Sequence, residues 1–189
     1  QARLAREAGL GQLGLLPSFR QSLPEVLGIK RHVPQVDMRI GIASGDVVVE
    51  NFRPGVIDKL GFGYEACRAL APDIIFCSIS GYGRSGPDAT RAGYDYAVQA
   101  EGGLMAITGA RDGAPNKAAV AVVDLATGQN AAIAILAALH QRQRTGCGQQ
   151  VAVSLFDTQL TWLANIGAGV LFTGEDAPRY GNEHASIVP

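Results

Sequence analysis

Few residues in this chain have the type and setting that chemistry demands, and Asp124 is foremost among them. It separates a β-branched run, AAVAVV at 118–123, from a long apolar stretch that runs to about residue 144. An aspartate at a helix start is a favoured N-cap, worth about 1 kcal/mol, and capping is the commoner reason to find one there. The same position also suits catalysis. A helix N-terminus is electropositive, so it stabilises an ionised carboxylate and can hold an anionic intermediate. The sequence GYGRSG at 81–86 matches the glycine fingerprint of dinucleotide-binding loops and follows an apolar run. That fingerprint needs a helix starting within it, and residues 87–93 are too short and too broken by Pro87 and Gly93 to supply one. A loop that ends a strand is the better reading, and an NAD-binding oxidoreductase rests on this motif alone. Tyr94 and Asp95 have the chemistry of an acid and base pair, and a helix start explains them equally well. Cys147, in TGCG, has no base placed near it by sequence. His32, His140 and His184 lack metal-ligand spacing, as do Cys67, Cys77 and Cys147, so no metal is expected.

The elements that must position these residues alternate in type. DVVVEN at 46–51 and DIIFCSIS at 73–80 read as short buried strands of a parallel sheet. Residues 58–71 are helical in parts, broken at Gly61 and Gly63 and ended by Pro72. Residues 94–100 form a short helix. Residues 118–123 read as a third strand, and Asp124 opens a long helix to about Arg144. That helix is apolar nearly all round, which predicts burial. TGCG ends it with glycines suited to a C-cap. Residues 150–155 form a fourth strand and 157–173 a last helix. Strands alternating with helices predict an α/β fold with an open, mainly parallel sheet of nucleotide-binding type, flanked by helices. Residues 1–45 carry no recognisable element: glycines and prolines interrupt every pattern, and they are set apart from 46–189.

Composition narrows the function classes. With 189 residues, the chain has room for one domain and a sizeable core. Hydrophobic residues make up 47% and charged residues 17%, which is too apolar for disorder. A net charge of -1 gives no basic surplus for nucleic acid. Three scattered cysteines fit a reducing cytoplasm better than a disulfide framework. The longest uninterrupted apolar run, 131–139, is far short of the roughly 20 residues that span a bilayer, so no membrane association is expected.

Six segments together carry a resemblance. VENFRPGVIDKLGFGYE, CSISGYGRSGP, RAGYDYAVQAEGGLMAITG, DLATG, ILAAL followed by RTGCGQQVAVSLFD, and GNEHASIVP occur in order. They resemble the class III CoA-transferases, the CaiB/BaiF family, from about residue 46 to 189. The resemblance implies transfer of CoA between carboxylic acids, with an acyl-CoA and an acceptor acid as substrates and no permanently bound cofactor. It places the family's nucleophilic aspartate on Asp124, which would form an acyl anhydride and then an aspartyl-CoA thioester. Asn51 and Phe52 match positions that line the CoA pocket. Lys59 matches a basic position suited to a phosphate, and Leu60 its apolar neighbour. Tyr94 and Asp95 match an aromatic and acidic pair near the thioester. KRHVPQVDMR resembles a basic strand upstream, which would put Arg39 near the CoA phosphates.

The racemase branch of the same family pairs its aspartate with a histidine. Tyr94 stands in that place here, and a tyrosine is a poor substitute for a base titrating in the right range, so transferase is favoured. Intact family members are interlocked homodimers and continue through a smaller domain. The expected strand and glycine loop of the nucleotide fold do not occur before Lys30, and residues 1–28 match nothing in the family. Gln1 and Pro189 are therefore read as truncation points of an incomplete large domain. Such a piece is expected to expose apolar helix surface and to aggregate, and a non-catalytic remnant is a further reading.

Overall fold

The computed structural model describes residues 47–184 and 187. Three parallel strands form its sheet in the order β1-β2-β3: β1 Val47–Glu50, β2 Ile75–Ser80 and β3 Gln149–Ser154. Val47 pairs with Ile75, and Ile75 with Gln149, so the register runs straight across the sheet. β2 lies in the middle, and Ile75, Phe76 and Cys77 are fully buried, as expected of a strand covered on both faces. The expected α/β class and parallel sheet are thus present.

Short helices α1 (Val56–Lys59) and α2 (Tyr64–Leu70) connect β1 to β2. Helices α3 (Asp95–Glu101), α4 (Leu104–Ile107) and α5 (Val122–Thr145) lie between β2 and β3. Two more, α6 (Leu155–Trp162) and α7 (Ala164–Thr173), follow β3. Residues 87–93 form turns and bends, and the next helix starts only at Asp95, so GYGRSG ends a strand without opening a helix.

Three local expectations need correction. Residues 118–123 are not a strand. The Ala118 N–H is taken by the Gln99 side chain at 2.8 Å, and the Val122 N–H turns back to the Val120 carbonyl. A β-branched run becomes a strand only where a sheet edge accepts its backbone, and this run meets a side chain and a helix start instead. Helix α5 consequently begins at Val122, which puts Asp124 in its first turn rather than at the N-cap. The N-cap is Ala121, which has no side-chain acceptor to offer. Residues 157–173 form two helices that meet at Leu163, and α6 starts earlier than expected because Ser154 Oγ accepts the Asp157 N–H at 3.0 Å.

The long helix is also less buried than its composition predicts. Its small residues Ala131 and Ala138 are covered, and Ala138 joins Val47 and Ile75 in one core cluster. Val123, further up the helix, joins Val98 and Leu155 in a second. Leu125, Ile133 and Leu136 on other faces stay more than half exposed. By length and composition α5 would pass for a membrane-crossing helix, but its contacts are those of a helix laid on a sheet. The predicted C-cap is present: Gly146, at φ 71°, adopts the left-handed conformation that glycine tolerates.

Candidate functional site

A cleft of about 470 Å³ opens at the carboxyl ends of β1 and β2. Ligands of open α/β sheets settle at this end, where loops rather than side-chain layers close the surface. Its walls come from five places: the turn after β1, the end of β2 from Ile79 to Gly81, the loop of residues 91–94, the first two turns of α5, and Leu155 at the start of α6. Gly81 and Gly93 bring two of these walls into backbone contact. A Cβ on Gly81 would overlap the Gly93 Cα, and one on Gly93 the Gly81 Cα, so neither position has room for a side chain.

Asp124 points into the cleft from the first turn of α5, as do Thr127 and Gly128 one turn further on. Helix residues three and four apart share a face, so this grouping follows from helical geometry. A Cβ on Gly128 would meet no atom within 4 Å, which leaves open space beside the carboxylate. Partial desolvation, and then the negative charge of Asp95, push the Asp124 carboxyl above the ordinary carboxylate range.

Asp95 lies behind this wall rather than in it. The side chain is only 5% exposed. One carboxylate oxygen accepts the backbone N–H groups of Val123 at 2.7 Å and Asp124 at 2.9 Å. The other accepts the Gln99 amide, whose own oxygen holds Ala118. Asp95 therefore caps the long helix from a neighbouring element, supplying the acceptor that Ala121 lacks. The helix N-terminus in turn balances the buried charge.

Of the residues singled out by sequence, Asn51, Phe52, Tyr94 and Asp124 come together around the cleft. Tyr94 is 71% exposed there. Lys59 and Leu60 sit at the C-terminal end of α1, away from the lining. Arg39 lies outside the described residues. Cys147 is exposed in the turn before β3, remote from the cleft lining, and Cys77 is buried in β2. Burial, and then the Glu50 charge, push the Cys77 thiol up to about 11, which leaves it a poor nucleophile.

Sequence reasoning missed two cations of the lining, Arg53 and Arg91. Arg91 is held in place by Glu101 at 2.6 Å and Asp88 at 3.2 Å, over the ring of Tyr82. Both arginines fall within the segments that carry the resemblance, ENFRPG and RAGYD, so a signal for them was present. Arg53 and the N-terminus of α5 on the same lining suit the cleft to an anionic ligand, whereas the Arg91 charge is already matched by Glu101 and Asp88.

The sequence pattern described as CoA-transferase family III matches residues 41–189. An acyl-CoA transferase of Fusarium pseudograminearum is 49% identical over 148 residues, 78% of this chain and 32% of that protein. Succinyl-CoA:glutarate CoA-transferase of Mus musculus is 48% identical over 144 residues, 76% of this chain and 33% of that protein. The crystal structure of a CaiB/BaiF family protein from Brucella suis superposes with a TM-score of 0.71 at 46% identity. That match covers 76% of this chain and 38% of that one. This chain spans about a third of the length of the relatives it matches. The sequence pattern and the structural likeness show that the chain belongs to CoA-transferase family III.

Proposed function

We propose that this chain carries the acyl-transferring aspartate of a CoA-transferase, and that the nucleophile is Asp124. The observation that carries this reading is an exposed carboxylate in the first turn of a long helix, set in a cleft between Asn51, Phe52 and Tyr94. In the first step the Asp124 carboxylate attacks the thioester carbonyl of an acyl-CoA. The C–S bond breaks, leaving a mixed anhydride and CoA thiolate. The thiolate then attacks the aspartyl carbonyl of the anhydride, releasing the donor acid as its carboxylate and leaving an aspartyl-CoA thioester. The acceptor carboxylate attacks that thioester, and the two steps run in reverse to give the new acyl-CoA and free Asp124. Nucleophilic catalysis of this kind divides one difficult exchange into easier ones.

The rest of the site serves those steps. Negative charge gathers on the carbonyl oxygen at each tetrahedral intermediate, and the N-terminus of α5 lies beside it. Desolvation and the Asp95 charge raise the Asp124 carboxyl, which makes its ionised form a stronger nucleophile than a fully solvated aspartate. Asn51 and Phe52 are proposed to hold the CoA thioester arm, with Lys59 and Arg39 serving its phosphates from farther out. Arg53 offers charge to a carboxylate on the acyl or acceptor acid. Relatives at 46–48% identity are named for succinyl-CoA and glutarate, so a short dicarboxylic acyl-CoA is the first donor to test. The whole protein is proposed to work as an interlocked homodimer. A partner would cover apolar side chains such as Leu171 and Phe172, about nine-tenths exposed on α7.

The test is trapping. The chain is incubated with succinyl-CoA and other acyl-CoA thioesters, treated with hydroxylamine, and mapped by mass spectrometry beside Asp124→Ala. A hydroxamate on Asp124 is expected, absent from the variant. A folded chain that takes no label, or a label elsewhere, overturns the assignment of an active nucleophile to this chain.

A further inference from the structure

The loop GYGRSG ends a strand without opening a helix, yet its arginine has a definite place. Arg84 is only 26% exposed and reaches back from the loop to the end of β1. Its Nη1 donates to Glu50 Oε1 and to Ser78 Oγ, both at 3.1 Å. Its Nη2 lies 3.7 Å from Asp58 on α1. Glu50 is the last residue of β1 and only 3% exposed. The other oxygen of Glu50 accepts the backbone N–H of Phe52 at 2.9 Å.

One guanidinium therefore ties together β1, β2, α1 and, through Glu50, the turn that presents Asn51 and Phe52 to the cleft. A buried carboxylate persists only where its charge is matched, and among the described residues Arg84 is the cation in contact with it. Without Arg84, Glu50 would have to turn toward water and would release the Phe52 N–H. The turn contains Asn51, Phe52, Arg53 and Pro54, all of which line the cleft, whereas Arg84 does not.

We propose that Arg84 is a positioning residue: paired with buried Glu50, it fixes the turn of Asn51 and Phe52, and α1 beside it, as the CoA-binding wall of the cleft. This rests on the CoA-transferase reading for the identity of the ligand, but not for the mechanical link. Arg84 touches no substrate in this scheme and acts through the Phe52 backbone.

The experiment has two arms on the same proteins: wild type, Arg84→Met, Arg84→Lys and the double variant Glu50→Gln with Arg84→Met. Hydrogen exchange followed by mass spectrometry reads the peptide of residues 49–60 and, as an internal reference, a peptide from the middle of α5. Calorimetric titration with free CoA reads the cleft. Arg84→Met is expected to raise exchange in 49–60 at least tenfold with α5 unchanged, and to weaken CoA at least tenfold. Arg84→Lys restores the charge without the forked geometry and falls between. The double variant, which no longer buries an unmatched charge, recovers part of the protection. Unchanged exchange in 49–60 in the folded Arg84→Met protein overturns the proposal, as does a rise of equal size in α5. If the wild type takes up no CoA, the ligand assignment fails, and the exchange arm still decides whether Arg84 holds the turn.

Discussion

Replacing Asp95 should destabilise the chain far more than its place in a seven-residue helix suggests. The carboxylate accepts three hydrogen bonds, from Val123 N–H, Asp124 N–H and the Gln99 amide. Asp95→Ala removes both acceptor oxygens and with them all three bonds. Val123 is fully buried, so water cannot easily take over. Each buried donor left without a partner costs about 1–3 kcal/mol. The two backbone donors and the orphaned amide together put the loss at about 3–9 kcal/mol. Domains of this size are stable by only about 5–15 kcal/mol, so the variant should be close to unfolded at 37 °C. Asp95→Asn distinguishes charge from geometry. Its carbonyl oxygen can still accept from Val123 and Asp124, but its amide then faces the Gln99 amide, donor against donor. Gln99 cannot flip to relieve this without releasing Ala118, which its oxygen holds at 2.8 Å. One such conflict costs about 1–2 kcal/mol. Urea unfolding followed by circular dichroism should therefore rank wild type above Asn above Ala, with an unchanged m-value. The Asn variant should also lower the Asp124 pKa, because the Asp95 charge helps to raise it, and this is readable by carboxylate NMR. If Asp95→Ala lies within about 0.5 kcal/mol of wild type, as an ordinary surface substitution would, the capping argument is wrong.

Two further outcomes follow from the same geometry. The Asp124 carboxyl titrates above its unfolded value, so the folded state holds its proton more tightly than the unfolded chain. The penalty is absent below the unfolded pKa of about 4 and grows as pH rises through the folded pKa. Asp124→Asn should thus melt higher than wild type at pH 7–8, with the difference vanishing near pH 3; equal melting curves at pH 8 would contradict the shift. The exposed apolar residues of α5 and α7, among them Ile133, Leu136, Leu171 and Phe172, make self-association the expected behaviour of the purified chain. Light scattering that shows a stable monomer at tens of micromolar would refute it.

How much was legible depends on the range of the interactions that decide each feature. The runs at 46–51 and 73–80 have unbroken apolar stretches at their centres, VVV and IIFC, and both became strands of a parallel sheet, because burial leaves that mark on the sequence itself. The glycine that ends α5 was equally plain, since only the local backbone conformation selects it. The grouping of Asn51, Phe52, Tyr94 and Asp124 followed from six motifs in register, and the structure places all four around one cleft. Residues 118–123 have the same local character as the true strands and still failed to become one. Their backbone is claimed by Gln99 from 19 residues away, and no periodicity encodes that.

Patterning and motif spacing are local properties of the chain, and they were enough for the family, for most of the alternation of strands and helices, and for the position of Asp124 near a helix start. What holds that helix start depends on the fold. The N-cap is an alanine, and the acceptor for the Val123 N–H arrives from Asp95, 28 residues before Val123. Only the tertiary structure likewise gave Arg84 its work, by bringing a loop that resembles a phosphate cradle onto Glu50, 34 residues away. Buried polar groups must find partners wherever the fold brings them, and the fold, not the spacing along the chain, makes that choice.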